Sequence, residues 1–279
     1  MQQKVALVTG ASSGIGEATA RKLNELGYTV YAAARRLERM HPLKQQGINI
    51  ITLDVTDDAS MQGAITEIIT QSGRLDVLIN NAGYGSYGAV EEVPLAEAQA
   101  QFDVNVFGAV RLIQLALPQM RAQGSGTIIN ISSMGGKLHT PLGAWYHGTK
   151  FALEGISDSL RLELEPLGID VVVVEPGGVK TEWADIAAQK LLATSGAGPY
   201  AAQAKAMAQS MVGEMSRKYQ SSPELIANTI AKAATARRPK TRYVVGMGAK
   251  PLLFMRKILS DRAFDCLIRL ATGTNKAGN

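Results

Sequence analysis

Tyr146 and Lys150 stand four residues apart in Tyr-His-Gly-Thr-Lys. On a helix that spacing puts a phenol and an ammonium on one face, within reach of the same bound molecule. Ser133 precedes the tyrosine by 13 residues. Asn105 lies further upstream in a segment of helical pattern, where an asparagine is mildly unfavourable and leaves room for a functional reason. A second group is Gly10, Gly14 and Gly16 in Thr-Gly-Ala-Ser-Ser-Gly-Ile-Gly. Glycines at a strand-to-helix turn let the backbone approach a pyrophosphate, whose charge then sits at the helix N-terminus. The spacing is G-x-x-x-G-x-G, and on its own such a run is equally a packing device. A third group, Asn80-Asn81-Ala82-Gly83, suits the edge of a nucleotide and equally suits a plain strand ending. His41, His139 and His147 are scattered with no metal-ligand spacing. His139, between the serine and the tyrosine, either lines the pocket or, as the commoner case, is a loop histidine with no catalytic role, and His147 should project about 100° round the helix from Tyr146, off the face that carries the pair.

These residues need a frame that brings them together, and the hydrophobic pattern supplies one. Lys4–Thr9 is a short apolar run of the kind buried on both faces of a parallel sheet. Further strands are expected at Tyr28–Ala34, Ile48–Leu53, Leu75–Asn80, Thr127–Ser132 and Ile169–Glu175, the last with four consecutive valines. Helical patterns separate them at Glu17–Leu26, Asp58–Ser72, Leu95–Met120 and Trp145–Glu165. Strands alternating with helices of this length predict an α/β fold, a Rossmann-type doubly wound parallel sheet. The ligand crevice of such a sheet lies at the carboxyl ends of its strands, where the glycines, Asn81 and Ser133 fall. After Pro176 the pattern changes. Residues 183–222 are rich in Ala, Met and Gln, with Met207, Met211 and Met215 four apart on an expected helix. A helix at 223–234, a strand at Arg242–Val245 and an amphipathic stretch at 251–270 follow. The expected organisation is a single domain over 1–250 with a lid at 183–222, then a basic amphipathic extension at 251–279.

With 46% hydrophobic and 19% charged residues in 279, the chain has material for a sizeable core, which excludes disorder. No apolar run approaches the roughly 18 residues of a membrane span, and no signal peptide is expected. A single cysteine, Cys266, makes neither an intrachain disulfide nor a thiolate zinc cage and fits a cytoplasmic protein. The formal charge of +5 is uneven: residues 235–279 hold 10 Lys+Arg against 2 Asp+Glu, whereas the first 234 are slightly acidic. Basic charge confined to the tail argues against nucleic acid as a partner. Within 251–270, Leu252, Met255, Leu259, Phe264, Leu267 and Ile268 alternate with Arg256, Lys257, Arg262 and Arg269. Such a stretch either makes a peripheral contact with an anionic membrane or packs on the domain with a solvated basic face.

With these motifs in this order, the chain resembles the short-chain dehydrogenase/reductase family, main Tyr-x-x-x-Lys branch, over residues 3–182 and more loosely 223–246. The resemblance implies a catalytic set of Asn105, Ser133, Tyr146 and Lys150. Tyr146 would be the general acid/base accompanying hydride transfer between a carbonyl and a nicotinamide. Lys150 would bring its pKa of about 10 towards working pH and hold the nicotinamide ribose. Ser133 would hydrogen-bond the substrate oxygen, and Asn105 would support a water chain from Lys150. The cofactor would lie along Gly10, Ser12, Ser13, Gly14, Ile15 and Gly16, then Arg35 and Arg36, with Asp54 and Val55 at the adenine and Asn81, Ala82 and Gly83 beyond. Tyr146, Lys150, Pro176, Gly177, Val179 and Thr181 would hold the nicotinamide end.

Members of the family that prefer NAD carry an acidic residue at the end of the second strand. Here Ala34 stands there, followed by Arg35 and Arg36, which suits the 2′-phosphate of NADP(H). Trp183 is a candidate substrate contact, together with Ile186, Leu191, Leu192, Met207, Met211 and Met215 of the lid. Flexible thioethers suit a hydrophobic alcohol or ketone, and the same stripe equally packs a lid onto its domain. Tyr-Gly-Ser-Tyr-Gly at 84–88 and Arg242-Tyr-Val-Val-Gly look most like members acting on steroids, retinoids or acyl-dihydroxyacetone phosphate. The expected activity is that of an NADP(H)-dependent carbonyl reductase, self-associated as a homodimer or homotetramer as the family implies. The rival is an NADPH-binding sensor without turnover, which has no need of a proton-transfer pair.

Overall fold

The computed structural model of the protein describes residues 3–276. Residues 1–2 and 277–279 of the expected domain and extension lie outside the described residues. Seven parallel strands make one sheet: β1 (Val5–Thr9), β2 (Thr29–Ala34), β3 (Asn49–Thr52), β4 (Val77–Asn80), β5 (Gly126–Ile131), β6 (Ile169–Pro176) and β7 (Arg242–Val245). Their order is β3-β2-β1-β4-β5-β6-β7. Chain order reverses between β1 and β4, and a crevice opens at the carboxyl ends of the strands at such a point.

The strands form where the apolar runs were marked, with ends within two residues of expectation. Burial on both faces explains their composition. Ala6 and Val8 of β1 face one core layer with Leu23, Ile226 and Ile230, while Val5 and Leu7 face another with Ile65, Ile68, Leu112 and Met120. Each fully buried aliphatic side chain contributes roughly 1.5–3 kcal/mol, so burial on the sheet's two faces is a main source of the fold's stability. The first layer is covered by α1 (Gly14–Glu25), the short α2 (His41–Lys44) and α10 (Pro223–Thr235), the second by α3 (Asp58–Ser72) and α5 (Gly108–Gln123). Local signals set the helix ends. The Asp57 side chain accepts from the backbone N–H groups of Ala59 and Ser60 at the start of α3, and Gly73 closes it with φ +70°.

Three expectations are corrected. The helix expected over Leu95–Met120 is α4 (Leu95–Phe102), a π turn over Asp103–Phe107, and then α5. Asn105 sits inside the π turn, which accounts for a polar residue at a position where an α-helix would disfavour it. The segment expected as a lid comprises α7 (Glu182–Ser195), α8 (Ala201–Val212) and the short α9 (Glu214–Tyr219), and the break at Gly213 separates Met215 from Met207 and Met211. The stretch 251–270 is two helices, α11 (Ala249–Ile258) and α12 (Asp261–Thr272), parted where Leu259 turns extended. Helix α6 (Ala144–Leu164) matches its expectation.

Candidate active site

A cleft of about 1160 Å³ runs along the carboxyl ends of β1, β2, β4, β5 and β6. Its floor is the glycine turn between β1 and α1. Gly10 has φ +65°, a conformation that favours glycine, and a Cβ on Gly16 would lie 2.3 Å from the Gly10 carbonyl oxygen. Asn81 locks the turn from the neighbouring strand, its Nδ2 donating to Thr9 O at 2.9 Å and its backbone N–H to Thr9 Oγ1 at 3.0 Å. Ser13 is the N-cap of α1, yet its side chain makes no capping hydrogen bond. The hydroxyl and the first N–H groups of a 12-residue helix therefore face the cleft, a donor set that fits a pyrophosphate.

Ser12, Ser13, Gly14, Ile15, Asp54, Val55, Ala82, Gly83, Pro176, Gly177, Val179 and Thr181 all line this cleft with Gly10 and Asn81. Asp54 is held by Thr56, whose N–H and Oγ1 donate to its Oδ1 at 2.9 and 2.8 Å. Arg35 and Arg36 line the cleft too, exposed at the end of β2 with no carboxylate partner among the described residues. Gly16 packs against the Gly10 carbonyl and the Asn81 amide and so allows close approach of helix and strand. At the rim, Arg39 reaches from the segment after β2 to Glu182 at the start of the lid, 2.9 Å.

Ser133, Tyr146 and Lys150 converge at the other end. The Tyr146 phenol is buried and hydrogen-bonds Ser133; burial pushes its pKa up to about 12 against the lowering effect of that bond. Lys150 Nζ donates to Ile131 O at 2.8 Å, and burial brings the ammonium down to about 8, Glu154 opposing. The expected lowering of Tyr146 by Lys150 is not observed; desolvation dominates the phenol, which stays protonated near neutrality. Asn105 is buried beside these residues, across Gly83 from Lys150. Its Oδ1 accepts from Tyr84 N–H at 3.0 Å, and its Nδ2 donates to Tyr84 O at 2.9 Å and Thr149 Oγ1 at 3.0 Å. It pins the loop after β4 to α6.

The residue that sequence reasoning missed is His147. The loop 134–143 folds back over α6, so the side chain meets that loop and lines the cleft beside Tyr146, ring centroids 5.6 Å apart. Thr140 N–H donates to Nε2 at 3.0 Å, which fixes that nitrogen as acceptor and leaves Nδ1–H to donate to Gly135 O at 2.9 Å. Burial lowers its pKa to about 4, so it is neutral. No sequence signal marks it, because the fold of the loop decides it. His139 reaches outward to Asp265 of α12 at 2.9 Å, consistent with a loop histidine.

The apolar end of the cleft is lined by Tyr87, Leu138, Met207, Met211 and Trp183, the last with its ring 5.0 Å from that of Tyr146. Leu191 packs between α7 and α8 instead, and Leu192 and Met215 point outward. The tail packs on the domain: Phe264 and Ile268 of α12 bury against Leu138, and Leu252, Ile268 and Thr272 reach the cleft. Arg242 of β7 is structural, bonding Glu154 and Asp158 of α6 at 3.0 and 2.7 Å. Burial and the facing Glu154 raise the pKa of the neighbouring Glu175.

The profile of the short chain dehydrogenase family matches residues 4–191. A 3-ketodihydrosphingosine reductase of Bacteroides thetaiotaomicron is 42% identical over 186 residues, 66% of this chain and 67% of that protein. A probable short-chain type dehydrogenase/reductase, VdlC of Helicobacter pylori, is 34% identical over 95% of this chain and 97% of its own. Among solved structures, a short-chain dehydrogenase from Streptomyces avermitilis superimposes with TM-score 0.77 at 32% identity, covering 100% of both chains. A metagenomic short-chain oxidoreductase in complex with NADP gives 0.69 at 29% identity, covering 88% of this chain and 97% of that one. With the profile spanning most of the chain and relatives matching it nearly end to end, the protein belongs to the short-chain dehydrogenase/reductase family.

Proposed function

We propose that the protein is an NADP(H)-dependent reductase of ketones or aldehydes on mostly apolar substrates, with Tyr146 as the proton donor. One observation carries this reading: a buried, protonated phenol, hydrogen-bonded to Ser133, stands at the apolar end of a cleft whose far end holds Arg35 and Arg36. The bound cofactor would supply the hydride. Tyr146 would give its proton to the substrate oxygen as charge develops there, with the Ser133 hydroxyl hydrogen-bonding the same oxygen. Lys150, fixed by Ile131 O, would turn its remaining donors to the ribose and supply positive charge beside the phenol. Arg35 and Arg36 would grip the 2′-phosphate. Similarity to the sphingoid reductase and to the NADP complex supports both halves of the reading. The family's habit of self-association points to a homodimer or homotetramer, through α5 and α6, where Phe151 and Leu162 of α6 and Phe107 just before α5 are exposed. Among the described residues no helix is long and apolar enough to cross a membrane.

The test is NADPH oxidation against a panel of hydrophobic ketones and aldehydes. Tyr146→Phe should lower turnover by about 10²- to 10⁴-fold while NADPH still binds. Unchanged turnover would overturn the mechanism, and tight NADPH binding without turnover across the panel would favour the sensor. Since burial keeps the phenol protonated, reduction should be flat in pH through neutrality. Alcohol oxidation needs the phenolate and should climb with pH towards the raised pKa of about 12.

A further inference from the structure

Two short helices at the rim of the cleft are apolar on both sides. Helix α11 turns Leu252 to the cleft and packs Leu253 and Met255 into the tail cluster. Its outer face nevertheless presents Phe254 and Ile258, 61% and 57% exposed, between the exposed Lys250 and Lys257. These four positions follow helical spacing, so they form one face. Helix α9 repeats the arrangement. Ser216 lines the cleft, while Met215 and Tyr219 are 71% and 58% exposed, with Lys218 over the Tyr219 ring. The segments flanking the two helices meet: the backbone N–H of Met247, two residues before α11, donates to Ser221 Oγ, two residues after α9, at 2.9 Å. Single exposed apolar residues are ordinary; four bulky ones on two helices whose inner faces are already occupied mark a surface with a partner.

We propose that this rim docks on an anionic lipid bilayer. Phe254, Ile258, Met215 and Tyr219 enter the boundary between headgroups and acyl chains, and Lys250, Lys257 and Lys218 meet the anionic headgroups. Charge selects the occupant. Lys250, Lys257 and Lys218 make no ion pair among the described residues, so a second copy on this face would set like charge against like, whereas anionic lipid is complementary. The opposite sides of the same helices line the cleft, so the docked protein would hold its apolar end one helix away from the lipid. This surface is independent of the proposed reaction, because its occupancy is read without turnover.

The test is co-sedimentation of the full-length protein with vesicles of phosphatidylcholine alone or mixed with phosphatidylserine, at low and raised salt. Phe254→Asp/Ile258→Asp and Lys250→Glu/Lys257→Glu are compared with the parent, with circular dichroism and elution volume as controls for folding and assembly. The parent should pellet with the anionic vesicles, weakly with the neutral ones, and less as salt rises; each double variant should bind about tenfold more weakly at unchanged elution volume. A parent that stays in the supernatant, that pellets equally with both vesicles, or that is matched by both variants overturns the proposal. So does a smaller assembly for Phe254→Asp/Ile258→Asp, which would give the face to a second copy.

Discussion

The two ends of the cleft are held by different means. At the glycine turn the wall is backbone, clamped by Thr9, Gly10 and Asn81 with no room for a single added carbon at Gly16. At the Trp183 end the wall is side chains carried on α7, α8, α9, α11 and α12, none of which belongs to the sheet. Tyr146 stands where the two meet, on α6, against the sheet on one side and Trp183 and Tyr87 on the other. A fixed end suits a ligand of constant shape, and a replaceable end suits one that differs between relatives.

The contrast can be broken at either end. The largest effect is expected from Gly16→Val, whose Cβ would meet the Gly10 carbonyl oxygen at 2.3 Å. NADPH affinity, read by fluorescence titration, should fall by about 100-fold, from overpacking that costs about 1–3 kcal/mol or somewhat more against rigid backbone. Near-native affinity would show that the turn yields. Arg35→Glu should weaken NADPH by about 30-fold and leave NADH nearly untouched, through loss of a charge-assisted bond worth about 1.5–3 kcal/mol. An unchanged Michaelis constant for NADPH would remove the 2′-phosphate from this position.

His147 probes the junction. His147→Leu should lower kcat by about tenfold with NADPH affinity unchanged, with partial rescue in His147→Gln, since about 1–1.5 kcal/mol of hydrogen bonding holds the loop over Tyr146. Its folded pKa of about 4 lies below the ordinary 6.5, so the stability it lends is intact above 6.5 and falls as pH drops towards 4. That shift corresponds to about 3 kcal/mol, and chemical denaturation at stepped pH should show the loss in the parent and not in His147→Gln. The smallest effect is expected at the replaceable end: Met211→Leu should change the Michaelis constant for an apolar ketone by less than about threefold. A hundredfold change there would make the lid as exacting as the glycine turn.

How much could be read from the chain follows the same division. Buried strands are continuous apolar runs and declare themselves, so β1 and β6 and the residues at their ends were legible. The Tyr146–Lys150 pair was legible because helical spacing is local. The pKa of Tyr146 was not, because it depends on how many layers cover the phenol. His147 was misjudged for a related reason: its angle on α6 was right, but the returning loop brings Gly135 and Thr140 to that face. The separate helix carrying Met215 turns on one glycine, and the seat of α12 on Leu138 turns on packing between segments more than a hundred residues apart.

The π turn at Asp103–Phe107 makes that stretch sensitive to length more than to identity. Such a turn holds one residue more than an α-helical turn would, so deleting one, Val104 for instance, would let the helix close regularly with α4 and α5 keeping their faces. Leu112, Ile113 and Met120 stay fixed in the core, and the change would fall on the turn itself, where Asn105, with Gln101 beside it, holds Tyr84. Point substitutions along this helix leave that turn wide; a one-codon deletion here would narrow it and release the loop of the cleft that Asn105 holds, while both flanking helices keep their packing.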